Sequence, residues 1–280
     1  MPPVTTNSKK VQTPMSLFRA LLGMFLLGVT PALADKLKFG NEGIYPPFSL
    51  YDPSGKLVGF EPDLAREMCK RMNAECEFIV MDFKALIPSL VQGKFNGIIS
   101  QINPLPERKE KALFSIPIIV NPSTFVAPAA SNYEYTKEGL KGLKLGVPRG
   151  SADAAWVLAH YDGLIPVYYD NPDQIRLDLL SHRIDFAFGA HINWTLELIE
   201  KPEGKDWKLA GGDHWVGDPN VPEKEQGLSW IVQKNDKALI DRMNAALQSA
   251  IDDCTLTRIR KQYMKVPVSP ADAACEAKGS

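Results

Sequence analysis

Polar side chains cluster where one predicted strand ends. The apolar run FNGIIS predicts a strand over 95–100, and Ser100, Gln101 and Asn103 lie at or just beyond its carboxyl end. Loops at the carboxyl ends of strands are the expected ligand position in open α/β sheets. These hydroxyl and amide groups can form hydrogen bonds, but the sequence offers no paired carboxylate and base for catalysis. The pattern favours binding of a small polar molecule over chemistry on it.

Arg108 follows on the same loop, between INPLPE and KEKALFS. A planar guanidinium can donate two parallel hydrogen bonds to a carboxylate, and no other side chain does so as well. On the charge pattern alone, however, Arg108 is better interpreted as a solvated helix charge, as Lys109 and Lys111 are.

The cysteines indicate an oxidising compartment, since their number is even: Cys69, Cys76, Cys254 and Cys275. A bridge across CKRMNAEC would tie a helix end to the following strand, and by elimination the other two could pair. Metal binding is the alternative, but it calls for ligands about two to four residues apart with histidines nearby. The four histidines show no ligand spacing either, so neither a metal nor a cofactor is expected.

The N-terminal segment has the three-part layout of a secretory signal. Lys9, Lys10 and Arg19 precede an apolar run over 20–29, and the small residues Ala32 and Ala34 precede Asp35. A membrane anchor is the alternative, but a run of roughly ten apolar residues is about half of what a bilayer needs. We therefore expect residues 1–34 to be a signal peptide cleaved near Ala34, which would place the mature chain in a periplasm. Met15 is a second candidate start.

The charge balance argues against a nucleic-acid partner. The chain has 32 basic and 33 acidic residues, and removal of three basic leader residues leaves a net charge of about −4. Acid and base are mixed along the chain, whereas nucleic-acid binding calls for clustered Lys and Arg.

Short apolar strands alternate with amphipathic helices from Lys36 onward, which predicts an α/β fold with mostly parallel sheets. The alternation restarts after TFVAPAA, so we expect two lobes rather than one doubly wound domain. The predicted first lobe is 35–121 plus 227–280 and the second is 122–226, with hinge strands near 120–122 and 222–227. PERKEKALF is predicted to be a short helix.

Three stretches in particular carry a resemblance to a known family: EGIYPPFSLYDPSGKLVGFEPDLAREMCKRM, MDFKALIPSLVQGKFNGIIS and PERKEKALFS. The chain resembles the periplasmic solute-binding proteins of family 3, which bind polar amino acids or opines for bacterial ABC importers. The resemblance runs from about Lys36 to Tyr263. It implies a type II periplasmic binding protein fold, which is α/β and two-lobed with two crossings. It also implies a monomer that closes around a carboxylate-bearing solute and delivers it to an inner-membrane ABC permease. The early cysteine pair matches a disulfide common in that family.

The resemblance also assigns roles to individual residues. Arg108 falls where the family's arginine grips the solute carboxylate, and Tyr45 and Phe83 match aromatics on either side of the solute. Glu42 matches an acid that reads a distal group. Gly150 and Ser151 lie in GVPRGSAD, which matches the family's turn into a helix N-terminus, where exposed amides favour an anion. Ser151 could equally serve as a helix cap.

Two departures bear on which solute is bound. Ala190 stands where the amino-acid binders carry an aspartate for the α-ammonium, and Ala152 replaces an expected hydroxyl donor. A buried ammonium without an acceptor costs roughly 1–3 kcal/mol or more. An opine or similar conjugated amino acid, whose amine is substituted, therefore fits better, and Gln101, Asn103 and Asp153 allow a sugar-derived one. If Asp153 or His191 supplies the acceptor instead, a plain amino acid fits.

An enzyme on the same scaffold is the main rival, because some cyclohexadienyl dehydratases resemble these binding proteins. The absence of a paired carboxylate and base argues for a binding protein and not an enzyme.

Overall fold

The computed structural model describes residues 1–7, 35–222 and 225–279. Residues 1–7 contain no helix or strand. The predicted signal peptide falls almost wholly on residues 8–34, which lie outside the described residues. Within residues 35–279, as far as they are described, two five-stranded sheets form the centres of two lobes.

The first sheet consists of β1 (Asp35–Asn41), β4 (Ala74–Val80), β5 (Gly97–Ile102), β6 (Ala112–Phe114) and β12 (Ser229–Gln233). Its strand order is β4-β1-β5-β12-β6. β1 pairs in parallel with β4 and β5, whereas β12 is antiparallel to β5 and β6. A hairpin of β2 (Leu50–Tyr51) and β3 (Leu57–Val58) follows β1. The helices of this lobe are α1 (Phe60–Arg71), α2 (Phe83–Val91), α3 (Pro106–Lys109), α7 (Lys237–Asp252), α8 (Thr255–Tyr263) and α9 (Pro270–Ala277).

The second sheet consists of β7 (Ser123–Pro128), β8 (Lys144–Pro148), β9 (Ile165–Tyr169), β10 (Phe186–Ala190) and β11 (Trp207–His214), in the order β11-β7-β10-β8-β9. β8 is parallel to β9 and β10, and β7 is antiparallel to β10 and β11. Its helices are α4 (Ala152–His160), α5 (Pro172–Leu180) and α6 (His191–Trp194). A π-helical turn (Thr195–Ile199) and a 3-10 turn (Pro202–Asp206) follow α6.

Each sheet has its own apolar core. Phe39, Met68 and Trp230 are buried between the first sheet and helices α1 and α7, and Phe125 and Phe188 are buried in the second lobe. Each fully buried side chain of this size stabilises the fold by about 1.5–3 kcal/mol. The two cores hold the sheets in place, and polar residues lie at the carboxyl edges of both sheets.

Two disulfides are present. Cys69–Cys76 joins the end of α1 to β4, with Cα atoms 6.0 Å apart. Cys254–Cys275 joins the start of α8 to α9, with Cα atoms 5.6 Å apart. Both pairings are those that the sequence suggested.

The chain passes from the first sheet to the second between β6 and β7, and returns between β11 and β12. The two crossing segments pair through an antiparallel bridge between Ile119 and Leu228. The lobe boundaries given above stay a prediction, and residues 223–224 of the second crossing lie outside the described residues.

One element prediction is wrong. The helix expected over PERKEKALF ends at Lys109, and Ala112–Phe114 forms β6 instead. β6 pairs with β12, more than 100 residues away in sequence, so tertiary pairing overrides the local helical pattern. The sheets are also mixed rather than mostly parallel.

Candidate functional site

A cleft of about 740 Å³ lies between the carboxyl edges of the two sheets. Most of the site residues predicted from the sequence line it: Glu42, Tyr45, Phe83, Gln101, Asn103, Ser151 and Asp153. Lys84, Arg149 and Asp170 lie at its surface, and Ala190 and Leu228 contribute apolar wall. The cleft therefore combines residues of both lobes and of the returning crossing.

Arg108 and Gly150 line a neighbouring groove of about 1250 Å³, which shares Phe83, Lys84 and Ser151 with the cleft. Arg108 thus lies at the boundary of the cleft. Ser100 does not reach the cleft, because it is fully buried in β5 and its Oγ lies 3.3 Å from Asn41 Nδ2, which donates to it. Of the three candidates at the end of β5, Gln101 and Asn103 line the cavity and Ser100 does not.

Arg108 is buried, with 8% of its surface exposed. Its guanidinium lies over the Phe83 ring, 5.9 Å from the ring centroid. Nη1 donates to Asn103 O at 3.4 Å and Nη2 donates to Gly150 O at 3.3 Å, so it contacts both lobes. Both hydrogen bonds are long. Burial lowers the pKa of Arg108, and the charges of Asp153 and Glu107 oppose this.

Within the described part of the chain, no carboxylate forms an ion pair with Arg108. A buried cation is normally held by an acid and by several short hydrogen bonds, because removing it from water is costly. This guanidinium therefore has unused capacity for an anion.

Asp153 lies in the first turn of α4 and faces the cleft. Its Oδ1 accepts a hydrogen bond from the Ser123 hydroxyl. Burial raises the pKa of Asp153, and the Ser123 hydrogen bond and the Arg108 charge oppose this rise. The Asp153 carboxyl group and the Arg108 guanidinium thus interact through their charges without forming an ion pair. A solute that carries both an anionic and a cationic group would require such an arrangement.

Ser151 serves as the cap of α4. Its Oγ accepts from Ala154 N at 3.0 Å and donates to Pro148 O at 2.9 Å. The hydroxyl hydrogen is thus donated to Pro148 O while the oxygen caps the helix, although Ser151 also lines the cleft. Gly150 has φ +74°, a conformation that favours glycine, and this turn aims its carbonyl at Arg108.

Glu42 lies just beyond β1 and is buried against the cleft. Burial raises the pKa of Glu42 to about 8. Glu61 lies deeper, accepts a hydrogen bond from Trp230 Nε1 at 3.1 Å, and also has a raised pKa because of burial. Burial is again the main cause of the raised pKa of Tyr45, followed by the charges of Asp153, Glu42 and Glu61. This end of the cleft is suited to a cationic or hydrogen-bonding group.

Asn121 and Asn193 form an amide network that the sequence did not reveal. Asn121 Nδ2 donates to Gln101 Oε1 and to Asn193 Oδ1, both at 3.1 Å. Asn193 Nδ2 donates to Pro46 O at 3.1 Å, across the lobes. Gln101 Nε2 is buried without a hydrogen-bond partner. The position of Asn121 within the predicted hinge near 120–122 was the available signal.

Contacts between the lobes also occur around the cleft. Lys84 Nζ lies 2.9 Å from Asp170 Oδ1, which Arg149 also contacts at 3.0 Å. Lys109 Nζ lies 2.9 Å from Asp218 Oδ2, and Asn103 Nδ2 donates to Val216 O. The ion pairs are partly exposed, so each contributes little.

The second lobe supplies no acid at Ala190. His191 is directed elsewhere, because its Nδ1 lies 2.6 Å from Asp213 Oδ1 and it does not line the cleft. Two acids of the second lobe, Asp153 and Asp170, line the cleft, and Asp170 is paired with Lys84 and Arg149. Across the described ranges, no cluster of His, Cys, Asp and Glu could hold a metal ion. Nor does any described helix combine the length and apolar character needed to span a bilayer.

Comparisons with known proteins agree with this geometry. The model of the bacterial extracellular solute-binding proteins, family 3, matches residues 37–266. The lysine/arginine/ornithine-binding periplasmic protein of Escherichia coli is 32% identical over 83% of this chain and 88% of its own. The histidine-binding periplasmic protein of the same organism is 31% identical over 85% and 90%. An ancestral arginine-binding protein bound to arginine superposes with a TM-score of 0.74 at 27% identity, over 83% of this chain and 100% of its own.

These findings confirm the two-lobed α/β fold predicted from the sequence. The relatives are binding proteins, so the expectation of a binding protein rather than an enzyme is also confirmed.

Proposed function

Because the chain belongs to family 3 of the bacterial extracellular solute-binding proteins, we propose that it captures a small carboxylate-bearing, amino-acid-like solute between its lobes. Its relatives include binding proteins for lysine, arginine, ornithine and histidine. The captured solute then passes to an inner-membrane ABC permease, and the protein acts as a monomer. Export by the predicted signal peptide places it in the periplasm.

The buried Arg108 guanidinium is the observation that carries this proposal. It has two long hydrogen bonds to carbonyls and no acid partner among the described residues. A solute carboxylate would form charge-assisted bidentate hydrogen bonds with it, which are short and strong in a desolvated site. Since Asn103 and Gly150 belong to different lobes, a carboxylate there also favours lobe closure.

Asp153 and Glu42 complete the proposed site. Asp153 accepts from the solute's amine nitrogen, close to the carboxylate on Arg108. Tyr45 and Phe83 cover the carbon chain, and Glu42 contacts a distal cationic or polar group. Gln101 and Asn103 provide further hydrogen bonds. This arrangement receives a polar amino acid or a derivative of one.

More specifically, the proposed solute is an opine-type conjugate, an amino acid whose amine carries a substituent. Because Ala190 stands where the resemblance implies an aspartate, the amine nitrogen depends on Asp153 as its acid. A secondary amine has fewer N–H groups to satisfy than a primary ammonium, so it loses less on burial here. The small Ala190 side chain also leaves space beside that nitrogen for a substituent.

A thermal-shift screen against polar amino acids and opine-type conjugates tests the capture proposal. Wild-type protein is compared with Arg108→Ala and with Arg183→Ala, a control whose exposed arginine pairs with Asp178 at 2.8 Å. We expect stabilisation by at least one solute in the wild type and the control. Arg108→Ala is expected to fold and to lose that stabilisation. Unchanged stabilisation of Arg108→Ala would contradict the carboxylate grip.

A further inference from the structure

A second cavity of about 540 Å³ adjoins the cleft, and we call it the annex. The two cavities share six residues: Ile44, Tyr45, Pro148, Asp153, Pro172 and Ala190. Because the shared set includes both Asp153 and Ala190, the annex opens at the point where the proposed function places the solute's nitrogen. Beyond this mouth the annex extends toward Arg176 on α5 and Glu197 in the π-helical turn.

The walls of the annex are largely apolar. Pro46, Phe188 and Trp194 line it beside the shared prolines. Gly189 keeps the wall open, since a Cβ there would lie 3.2 Å from Trp194 Nε1. The π-helical turn that supplies Glu197 is a rare geometry found frequently at functional sites.

The polar groups of the annex suit hydroxyls rather than ions. Arg176 is held by Glu203 at 3.3 Å and Asp173 at 3.6 Å, so its charge is compensated. Its Nε is nevertheless buried without a hydrogen-bond partner. Glu197 and Asp153 can accept hydrogen bonds from a ligand. Glu197, Asp153 and Asp173 surround the cavity with three carboxyl groups, against the single guanidinium of Arg176. This excess of acidic groups disfavours a solute with a second anionic group in the annex.

We infer that the annex binds an uncharged, hydroxylated chain attached to the nitrogen of the captured solute. The solute carboxylate lies on Arg108, its secondary amine lies at Asp153, and the chain passes Ala190 into the annex. Hydroxyls donate to Glu197 and accept from Arg176 Nε, while the carbon backbone packs on Trp194. This inference rests on the proposed function and narrows it to conjugates whose nitrogen substituent carries no carboxylate.

Isothermal titration calorimetry with matched ligands tests the inference. The parents are L-arginine and L-glutamine, and each is compared with its N-(1-deoxyhexityl) and N-(1-carboxyethyl) derivatives. We expect a hexityl conjugate to bind at least tenfold more tightly than its parent and its carboxyethyl counterpart. Gly189→Val, which fills the annex, is expected to reduce that preference at least tenfold.

Arg176→Met provides a second variant in case Gly189→Val does not fold, because it removes the Nε donor. We expect it to weaken hexityl binding about threefold to tenfold, whereas the exposed Arg183→Met leaves the hexityl preference as it is. If L-arginine and L-glutamine bind as tightly as their hexityl conjugates, the inference that the annex binds a ligand chain is wrong, and the capture proposal is unaffected. If a carboxyethyl conjugate binds more tightly than the hexityl conjugate of the same parent, the inference that the bound chain is uncharged is wrong. Failure of every ligand to bind would overturn both proposals.

Discussion

Arg108 in the cleft and Arg260 in the C-terminal region are both buried, but their surroundings differ. Arg260 donates to Asp272 Oδ1 from Nε at 3.3 Å and from Nη2 at 3.2 Å, and Nη2 also pairs with Glu276. Its Nη1 donates to the carbonyls of Met264 and Lys265, at 3.2 and 2.8 Å. Arg108 has two long hydrogen bonds to carbonyls and, among the residues that the structure describes, no acid partner. A buried arginine with its partners in place supports the fold, and one without them is available to a ligand.

The largest expected effect is the difference in stability between Arg260→Met and Arg108→Met. Arg260→Met leaves Asp272 buried without its cation, so we expect a loss of about 3–5 kcal/mol in the free energy of unfolding. Arg108→Met removes a poorly compensated buried cation, so we expect the solute-free protein to stay within about 1 kcal/mol of wild type or to gain stability. Urea denaturation measures both. Equal losses would remove the distinction between the two sites.

The pH dependence of stability extends the comparison to carboxyl groups. The pKa of Glu42 is about 8 in the folded protein, above its ordinary value of 4.5, so the folded state binds more protons between these values. The stability contributed by protonated Glu42 should therefore be fully present below about pH 4.5 and be lost as pH rises toward 8. The slope from one such group is up to ~1.4 kcal/mol per pH unit.

Denaturation midpoints at several pH values measure this slope. Glu42→Gln should flatten it between pH 5 and 8, while Glu61, whose pKa is also raised, retains a contribution of the same sign. A slope identical in wild type and Glu42→Gln would mean that Glu42 is ionised in the empty cleft.

The smallest effect concerns the ion pairs between the lobes. Lys84→Ala removes the contact with Asp170, and the exposed pair contributes about 0–1 kcal/mol. We expect solute affinity to fall less than fivefold and the remaining effect to diminish in 0.5 M salt. Lys137→Ala, which removes an exposed pair with Asp162 within the second lobe, is the matched control. A loss as large as that of Arg108→Ala would show that the lobe contact, rather than the carboxylate grip, determines binding.

Local periodicity was sufficient to predict most of the fold. Helices α1, α4 and α7 have clear apolar spacing, and Ser151 marks the start of α4 as a cap. The sequence did not predict β11, in which Gly211 and Gly212 interrupt the pattern at a register shift between Ala210 and Asp213. β6 was assigned to a helix, because only its distant partner β12 makes it a strand.

The cleft was less predictable than the fold. Charge pattern alone favoured a solvated Arg108, and only the resemblance placed it at a ligand. The strand-end argument included Ser100, but its side chain is fully buried and its Oγ accepts a hydrogen bond from Asn41 Nδ2, so that hydroxyl is enclosed. Asn193 was missed because its partners, Asn121 and Pro46, are distant in sequence. Such networks depend on tertiary contacts that no local pattern encodes.

A thermodynamic cycle that alters the solute carboxylate and Arg108 in turn tests most directly whether Arg108 binds that carboxylate. Calorimetry compares the tightest-binding solute of the screen with its carboxamide, on wild-type protein and on Arg108→Met. We predict that wild type binds the acid at least 100-fold more tightly than the amide, consistent with about 3 kcal/mol for charge-assisted hydrogen bonds in a buried site. Arg108→Met should bind both ligands weakly and about equally. Equal affinity of the wild-type protein for acid and amide would contradict the account.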